Sequence, residues 1–162
     1  MSRTAILRAV QRMSASSAFL KVGPHVVPAV DRAVHRLTRG RVLLSASLLP
    51  GVVLTARGAR TGLPRTIPLA ALHEPDADAW ILVGSNFGRP AHPAWTTNLI
   101  AHPDAAVSWR GQDIAVRAEL LTGEERAVAW GRLLVFWPPY GAYERRTERE
   151  LRVFRLTRTA GG

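Results

Sequence analysis

The segment Gly58-Ala59-Arg60-Thr61-Gly62-Leu63-Pro64-Arg65 joins two apolar runs, Val52-Val53-Leu54-Thr55 and Arg65-Thr66-Ile67-Pro68-Leu69. Glycines and a proline between β-prone runs make strand, turn, strand the local solution. The same rhythm continues along the chain. Candidate strands fall at Val42–Leu48, Val52–Thr55, Arg65–Leu72, Trp80–Gly84, Ala105–Trp109, Asp113–Leu121 and Leu151–Thr157. Leu49-Pro50-Gly51, Glu74-Pro75-Asp76 and Arg110-Gly111-Gln112 supply turns between them. Short strands at hairpin spacing predict an α+β chain built on a small antiparallel barrel, not a βαβ sheet.

The barrel needs a core, and 162 residues with 47% hydrophobic and 21% charged content can supply one. The sequence contains no cysteine, which excludes disulfides, thiolate metal sites and cysteine nucleophiles. Of the net charge of +10, most lies at the start: residues 1–41 hold eight Lys or Arg against the single acid Asp31. This divides the chain into a basic N-terminal helical segment, 1–41, and a barrel domain, 42–162. Within the first segment a helical stripe runs through Ile6, Val10, Met13, Ser17 and Leu20 and stops at Gly23-Pro24. A second runs through Val27, Val30, Val34 and Leu37 to Gly40.

Such basic amphipathic helices suit an anionic membrane surface or packing against the barrel. No apolar run approaches the roughly 18 residues of a spanning helix, and no signal peptide is evident. The expected location is cytoplasmic, with peripheral contact at the inner face of the membrane. Nucleic acid is not an expected partner: the arm has one aromatic residue, Phe19, and no recognised module.

The second loop of interest is Ser85-Asn86-Phe87-Gly88-Arg89-Pro90-Ala91-His92, leading to a short helix that starts at Pro93 and reaches Ala101. A helix start beside a Ser/Asn/Gly loop offers unpaired N–H donors to an anion. In the first turn, Arg57, Arg60, Arg65, Thr61 and Thr66 offer guanidinium and hydroxyl donors to phosphate or carboxylate. Further on, Thr122-Gly123-Glu124-Glu125 reads as a capping box for a helix to about Trp137. In that helix Trp130, Leu133, Leu134 and Phe136 read as core. Pro138-Pro139 then breaks it before Tyr140-Gly141-Ala142-Tyr143.

Several chemistries are missing. There is no GxSxG, no GxGxxG and no Walker loop. His25, His35, His73, His92 and His102 show no metal-ligand spacing, so no metal is expected, and His92 and His102 read as loop residues. Paired carboxylates are absent from both loops. Two anion-holding loops without acid–base machinery imply a phosphate-bearing cofactor that carries the chemistry.

The ordered motifs G-x-R-T-G-x-P-R-x-x-P at Gly58–Pro68, V-G-S-N at Val83–Asn86, H-P-A-W-x-x-N-L at His92–Leu99 and H-P-D at His102–Asp104 resemble the deazaflavin-dependent nitroreductase/quinone reductase family. The resemblance covers about Val42 to Leu156 and implies a split β-barrel that uses reduced coenzyme F420. It implies that Arg60, Thr61, Gly62, Arg65, Thr66 and Ile67 grip the coenzyme's phosphate and polyglutamate tail. Val83, Gly84, Ser85 and Asn86 would line the deazaflavin, and Ala94, Trp95, Thr96, Thr97 and Asn98 would close over the ribityl-phosphate part. Tyr140 and Tyr143 would form the substrate-side wall, with Ser85 or Tyr140 hydrogen-bonding the acceptor oxygen or supplying a proton. The implied acceptor is a quinone or another electrophilic small molecule.

Ala59 stands where many members carry a second basic residue, and Phe87 where a glycine is common. Trp137 and Ala70 take places where nitro-reducing members have tyrosines, which disfavours nitroaromatics as acceptors. The alternatives are a split barrel using flavin mononucleotide and a non-catalytic F420 carrier. A homodimer is compatible with the fold, although no face marks it.

Overall fold

The computed structural model describes residues 3–16, 18–19, 21–22, 26 and 50–160. The expected strand at 42–48 and the expected second helix at 27–40 lie outside the described residues. Helix α1 (Arg3–Ala15) precedes β1 (Gly51–Arg57), β2 (Pro64–Ala70), β3 (Leu72–Glu74) and β4 (Ala79–Gly84). Helix α2 (Ala94–Ala101), β5 (Asp104–Trp109), β6 (Gln112–Leu120), α3 (Gly123–Phe136), α4 (Pro139–Glu144) and β7 (Arg152–Arg158) follow.

All pairings are antiparallel, in the order β2-β1-β5-β6-β7-β4-β3. The two ends of that order, β2 and β3, are joined in the chain by Ala71 alone. One bent strand therefore pairs with β1 through its first half and with β4 through its second, and the sheet closes on itself. The sequence suggests a single strand over Arg65–Leu72. The bend at Ala71 divides it, and the Ala71 N–H leaves the ladder to donate to the Pro50 carbonyl at 3.1 Å.

Alternation along each strand fills the interior. Val52, Leu54, Ala56, Trp80, Leu82, Val107, Ile114, Val116, Phe154 and Leu156 form one buried cluster, and Trp95 and Leu99 of α2 plug its mouth. A second cluster lies outside the barrel wall. There Ile81, Val83 and Val153 meet Leu121, Ala129, Leu133, Trp137, Tyr140 and Tyr143. Strand β4 is covered on both faces, and all six of its residues are buried. This explains why it reads as a continuous apolar run rather than an alternating one. Truncating Leu82 to Ala would cost about 2–5 kcal/mol by the usual cavity rule.

Helix α1 packs on this outer layer through Val10, and Gln11 Nε2 donates to the Phe136 carbonyl at 3.3 Å. In α3, Leu133 is fully buried, while Trp130, Leu134 and Phe136 pack at its margin. Two local expectations shift. Pro93 is the extended residue before α2 rather than its first residue. Thr122 does occupy the N-cap of α3 but makes no side-chain cap bond. The residue after it, Gly123, is left-handed (φ 56°), so the Thr122 hydroxyl does not sit over the first turn as a capping box requires.

Candidate functional site

The Gly58–Arg65 turn is closed by Gly58 N–H to the Leu63 carbonyl and Gly62 N–H to the Gly58 carbonyl, both at 2.8 Å. A Cβ on Gly58 would stand 2.7 Å from Thr61 Oγ1, so only glycine lets the turn fold this tightly. Thr61 Oγ1 accepts from the Leu63 N–H at 3.3 Å. Asn98 of α2 reaches across and accepts the Ala59 N–H on its Oδ1 at 2.9 Å. The Gly58–Arg65 turn and α2 are thus joined side by side.

Strand alternation sorts the basic residues. Arg65 lies opposite the inward Ala56 and shares a face with Ile67, whereas Arg57 is opposite Pro64 on the outer face. Thr66 is also on the outer face, its Oγ1 3.2 Å from that of Thr55. Its side chain therefore points away from Arg65 and Ile67. Arg60 is exposed at the turn tip, with Gly62 beside it at φ 68°. Among the described residues, no carboxylate pairs with Arg57, Arg60 or Arg65.

On α2, Ala94 and Thr97 are exposed, while the Trp95 side chain is in the barrel core with its ring centroid 5.7 Å from that of Phe154. Trp95 can therefore offer a ligand only its backbone. Thr96 is fully buried and donates from Oγ1 to the Pro93 carbonyl at 2.8 Å. Gly84 ends β4 hard against this helix: a Cβ there would lie 2.5 Å from Thr96 Cγ2.

From Gly84 the backbone turns through Ser85 into three consecutive left-handed residues, Asn86 (φ 44°), Phe87 (φ 54°) and Gly88 (φ 71°). Phe87 thus takes a conformation that glycine adopts freely and a bulky L-residue does not. Its ring is held between Phe19 and Tyr143, at 6.0 and 5.8 Å. Gly88 has no room for a side chain, because a Cβ would stand 2.4 Å from the Tyr143 carbonyl oxygen.

Arg149 locks this loop. Its Nη2 donates to the Ser85 carbonyl at 2.7 Å, Nη1 to the Gly84 carbonyl at 3.1 Å and Nε to the Arg89 carbonyl at 2.9 Å. Nη1 also lies 3.1 Å from His92 Nδ1. Burial, then the charges of Arg152 and Arg149, hold the His92 pKa below its ordinary value, so the ring is neutral and Nδ1 accepts. Arg152, facing Gly84 across the β4–β7 ladder, donates from Nη1 to Thr96 Oγ1 at 3.0 Å and Thr97 Oγ1 at 3.3 Å.

The sequence gives these roles no signal. Arg149 reads as one member of a charged stretch, and its partners lie 57 to 65 residues away.

Val83, Tyr140 and Tyr143 meet in the outer cluster, on the far side of the Gly84–Ser85 corner from α2. Tyr140 is buried and its ring stacks on Trp130 at 6.2 Å. Burial, with a smaller contribution from Tyr143, pushes its hydroxyl pKa well above the usual phenol value, so it keeps its proton. Ser85, just after β4, is half-buried. The whole has a basic, hydroxyl-rich side and an aromatic side joined at one rigid corner. A planar ring system carrying a polyanionic tail fits that donor set, because no acidic side chain among the described residues competes for Arg60, Arg65 or Arg152.

A closed antiparallel barrel with this divided mouth belongs to the split-barrel class of cofactor-dependent oxidoreductases, and comparison with known proteins gives the family. Residues 29–158 match the model of the family described as F420H(2)-dependent quinone reductase. An F420H(2)-dependent quinone reductase of Mycobacterium tuberculosis is 32% identical over 138 residues, covering 78% of this chain and 86% of the relative. The solved structure of an F420-H2-dependent reductase (FDR-A) aligns with TM-score 0.60 at 33% identity, over 66% of this chain and 93% of its own. Another structure, described as a domain-swapped dimer, aligns with TM-score 0.63 at 30% identity, over 80% of this chain and 97% of its own.

The chain belongs to the F420H2-dependent quinone reductase family. It is a split-barrel oxidoreductase whose cofactor is reduced coenzyme F420. The flavin mononucleotide alternative finds no support in this family or these relatives.

Proposed function

We propose that the chain reduces a quinone with hydride from reduced F420 at the Gly84–Ser85 corner. The observation that carries this is the Asn98–Ala59 hydrogen bond, which ties the basic turn to the middle of α2 next to that corner. When bound, the coenzyme supplies a hydride, and the acceptor gains that hydride and a proton to become a hydroquinone.

Arg60 and Arg65, with Thr61, Gly62, Ala94, Thr97 and Asn98, hold the phosphate and tail. Ser85 and Asn86 line the ring, with Gly84 and Val83 in the wall behind them and Ile67 on the side of the basic turn. Thr66 and Trp95 take part through their backbones. In this reading Ser85, a half-buried residue at the corner itself, hydrogen-bonds the acceptor oxygen. Tyr140 stays protonated and, with Tyr143, backs the wall behind it.

In the same reading residues 42–162 form the catalytic domain and residues 1–41 a cytoplasmic-side membrane contact, with Arg8 and Arg12 exposed on α1. No described helix is long and apolar enough to cross a membrane. A homodimer completes the proposal; it is supported by the relative described as a domain-swapped dimer.

The test is titration of oxidised F420 with the full chain, followed by fluorescence, with flavin mononucleotide as control. Turnover of reduced F420 with menadione then checks the acceptor. Saturable binding of F420 alone, with turnover, is expected. Tight binding without turnover by any quinone would make the chain a carrier. Liposome flotation of the chain on anionic vesicles checks the membrane contact.

A further inference from the structure

Arg149, Arg152 and His92 form a basic cluster at the barrel mouth with no carboxylate paired to any of them among the described residues. Their acceptors among the described residues are three backbone carbonyls and two hydroxyls, all neutral. Two guanidinium groups so placed repel each other, and the repulsion lowers the Arg149 pKa after burial has done so. Arg149 is spent on the loop carbonyls. Arg152 is not: only its Nη1 has acceptors among the described residues, which leaves Nε and Nη2 to donate elsewhere.

The neighbouring groups are also set as donors. The Thr96 proton is committed to the Pro93 carbonyl, but Thr97, exposed, accepts from Arg152 and keeps its own O–H to give. Because His92 Nδ1 faces the Arg149 guanidinium, its proton is on Nε2, a further donor. Thr97 thus meets Arg152 directly, and His92 lies within reach of the same charge. On α2, Thr97 is next to Asn98, whose side chain faces the other way to the Gly58 turn. The cluster is thus joined, through adjacent residues of α2, to the turn that carries Arg60 and Arg65.

We propose that Arg152 and His92, with Thr97 shared between them and the tail contacts named above, form a second anion subsite, which takes a carboxylate or phosphoryl group of the coenzyme's charged tail. This deepens the F420 reading and rests on it. The subsite makes the chain selective for the full coenzyme over its ring-bearing core, since two separated basic points grip one tail.

Two measurements test it. The first is binding of F420 and of its deazaflavin riboside, which lacks phosphate and tail, to the full chain and to Arg152→Gln. The second is the NMR titration of the His92 imidazole, assigned with His92→Gln, with and without inorganic phosphate. The groups facing that ring are Arg149 and Arg152.

Arg152→Gln is expected to weaken F420 about tenfold or more, the size of one charge-assisted hydrogen bond, and to leave the riboside unchanged. Phosphate is expected to raise the His92 pKa in the unmodified chain. Equal loss for both ligands would make Arg152 structural and overturn the proposal. So would unchanged F420 affinity, or a His92 titration that phosphate leaves untouched; the latter needs no variant to fold. A chain that fails to bind F420 yet shows the phosphate shift, abolished in Arg152→Gln, would keep the anion site and remove the F420 reading.

Discussion

Arg132 and Arg155 converge on Glu74, whereas Arg149 and Arg152 converge on carbonyls, hydroxyls and a neutral histidine. In the first cluster Arg155 Nε donates to Glu74 Oε2 at 2.9 Å and Arg132 to Oε1, tying α3 and β7 to the end of the bent strand. Burial alone would raise the Glu74 pKa, but the hydrogen bonds from Arg155 and Arg132 outweigh it and hold it below the ordinary value. Arg155, bonded to that carboxylate, has its own pKa raised. Arginine charge here is met by a carboxylate within the fold. In the second cluster it is not, and the Arg149 pKa is lowered instead. A balanced pair is a fastening for the fold, while an unbalanced one at a cleft mouth leaves charge for a ligand.

The largest effect expected from this contrast is on stability at Glu74. Glu74→Gln removes the charge shared by two arginines and should cost about 3 kcal/mol in urea unfolding, the low end for a broken buried pair. The low end applies because Arg132 and Arg155 keep access to water. F420 affinity should not change. A loss of affinity would break the contrast, since Glu74 would then matter to the site.

Arg149→Gln comes next. It leaves the Gly84, Ser85 and Arg89 carbonyls without their donor and should cost about 2 kcal/mol of stability. Unlike Glu74→Gln, it should also raise the KM for reduced F420, because the left-handed Asn86–Gly88 loop loses its clamp. Arg149→Lys should recover little, one ammonium being unable to serve three carbonyls in a fork. Full recovery by lysine would show that charge, not geometry, is what Arg149 supplies.

The smallest effect is in pH dependence. Both Glu74 and His92 have folded pKa values below their reference values of 4.5 and 6.5. In each case the unfolded chain binds more protons in the window just below the reference value, so stability rises with pH there. Glu74 contributes fully above pH 4.5 and loses its contribution as pH falls through its lower folded value. His92 contributes above pH 6.5 and loses it in the same sense below. Urea midpoints against pH should show both limbs in the unmodified chain, the acid limb reduced in Glu74→Gln and the near-neutral one absent in His92→Gln. An unchanged profile in His92→Gln would mean that neither burial nor the charges of Arg152 and Arg149 shift the ring.

Much of this was legible in the chain. Period-2 alternation marks β1 and β6, and the Gly58–Arg65 and Arg110-Gly111 turns lie where the sequence puts them. The Gly58–Pro68 and His92–Leu99 motifs point to a cofactor tail. Thr66 shows how far local reading carries. It stands in the motif between Arg65 and Ile67, yet the strand's own alternation sends it to the opposite face, where it meets Thr55. The Thr122 box had the right residues, but Gly123 turned the backbone the wrong way. Phe87 was visible as a departure from a family glycine; its left-handed backbone was not.

By itself the sequence determined what neighbours decide: strand and turn periodicity, the apolar double-sided run of β4, the basic turn and the absence of cysteine chemistry. Those depend on side-chain spacing and backbone freedom over a few residues. Only the tertiary structure decided that Ala71 closes the sheet, that Asn98 binds the Ala59 N–H, that Tyr140 is buried, and that Arg149 holds a loop some 60 residues away. Such contacts join segments whose meeting depends on the whole packed barrel, and whether an arginine finds a carboxylate or only carbonyls there is settled by that packing.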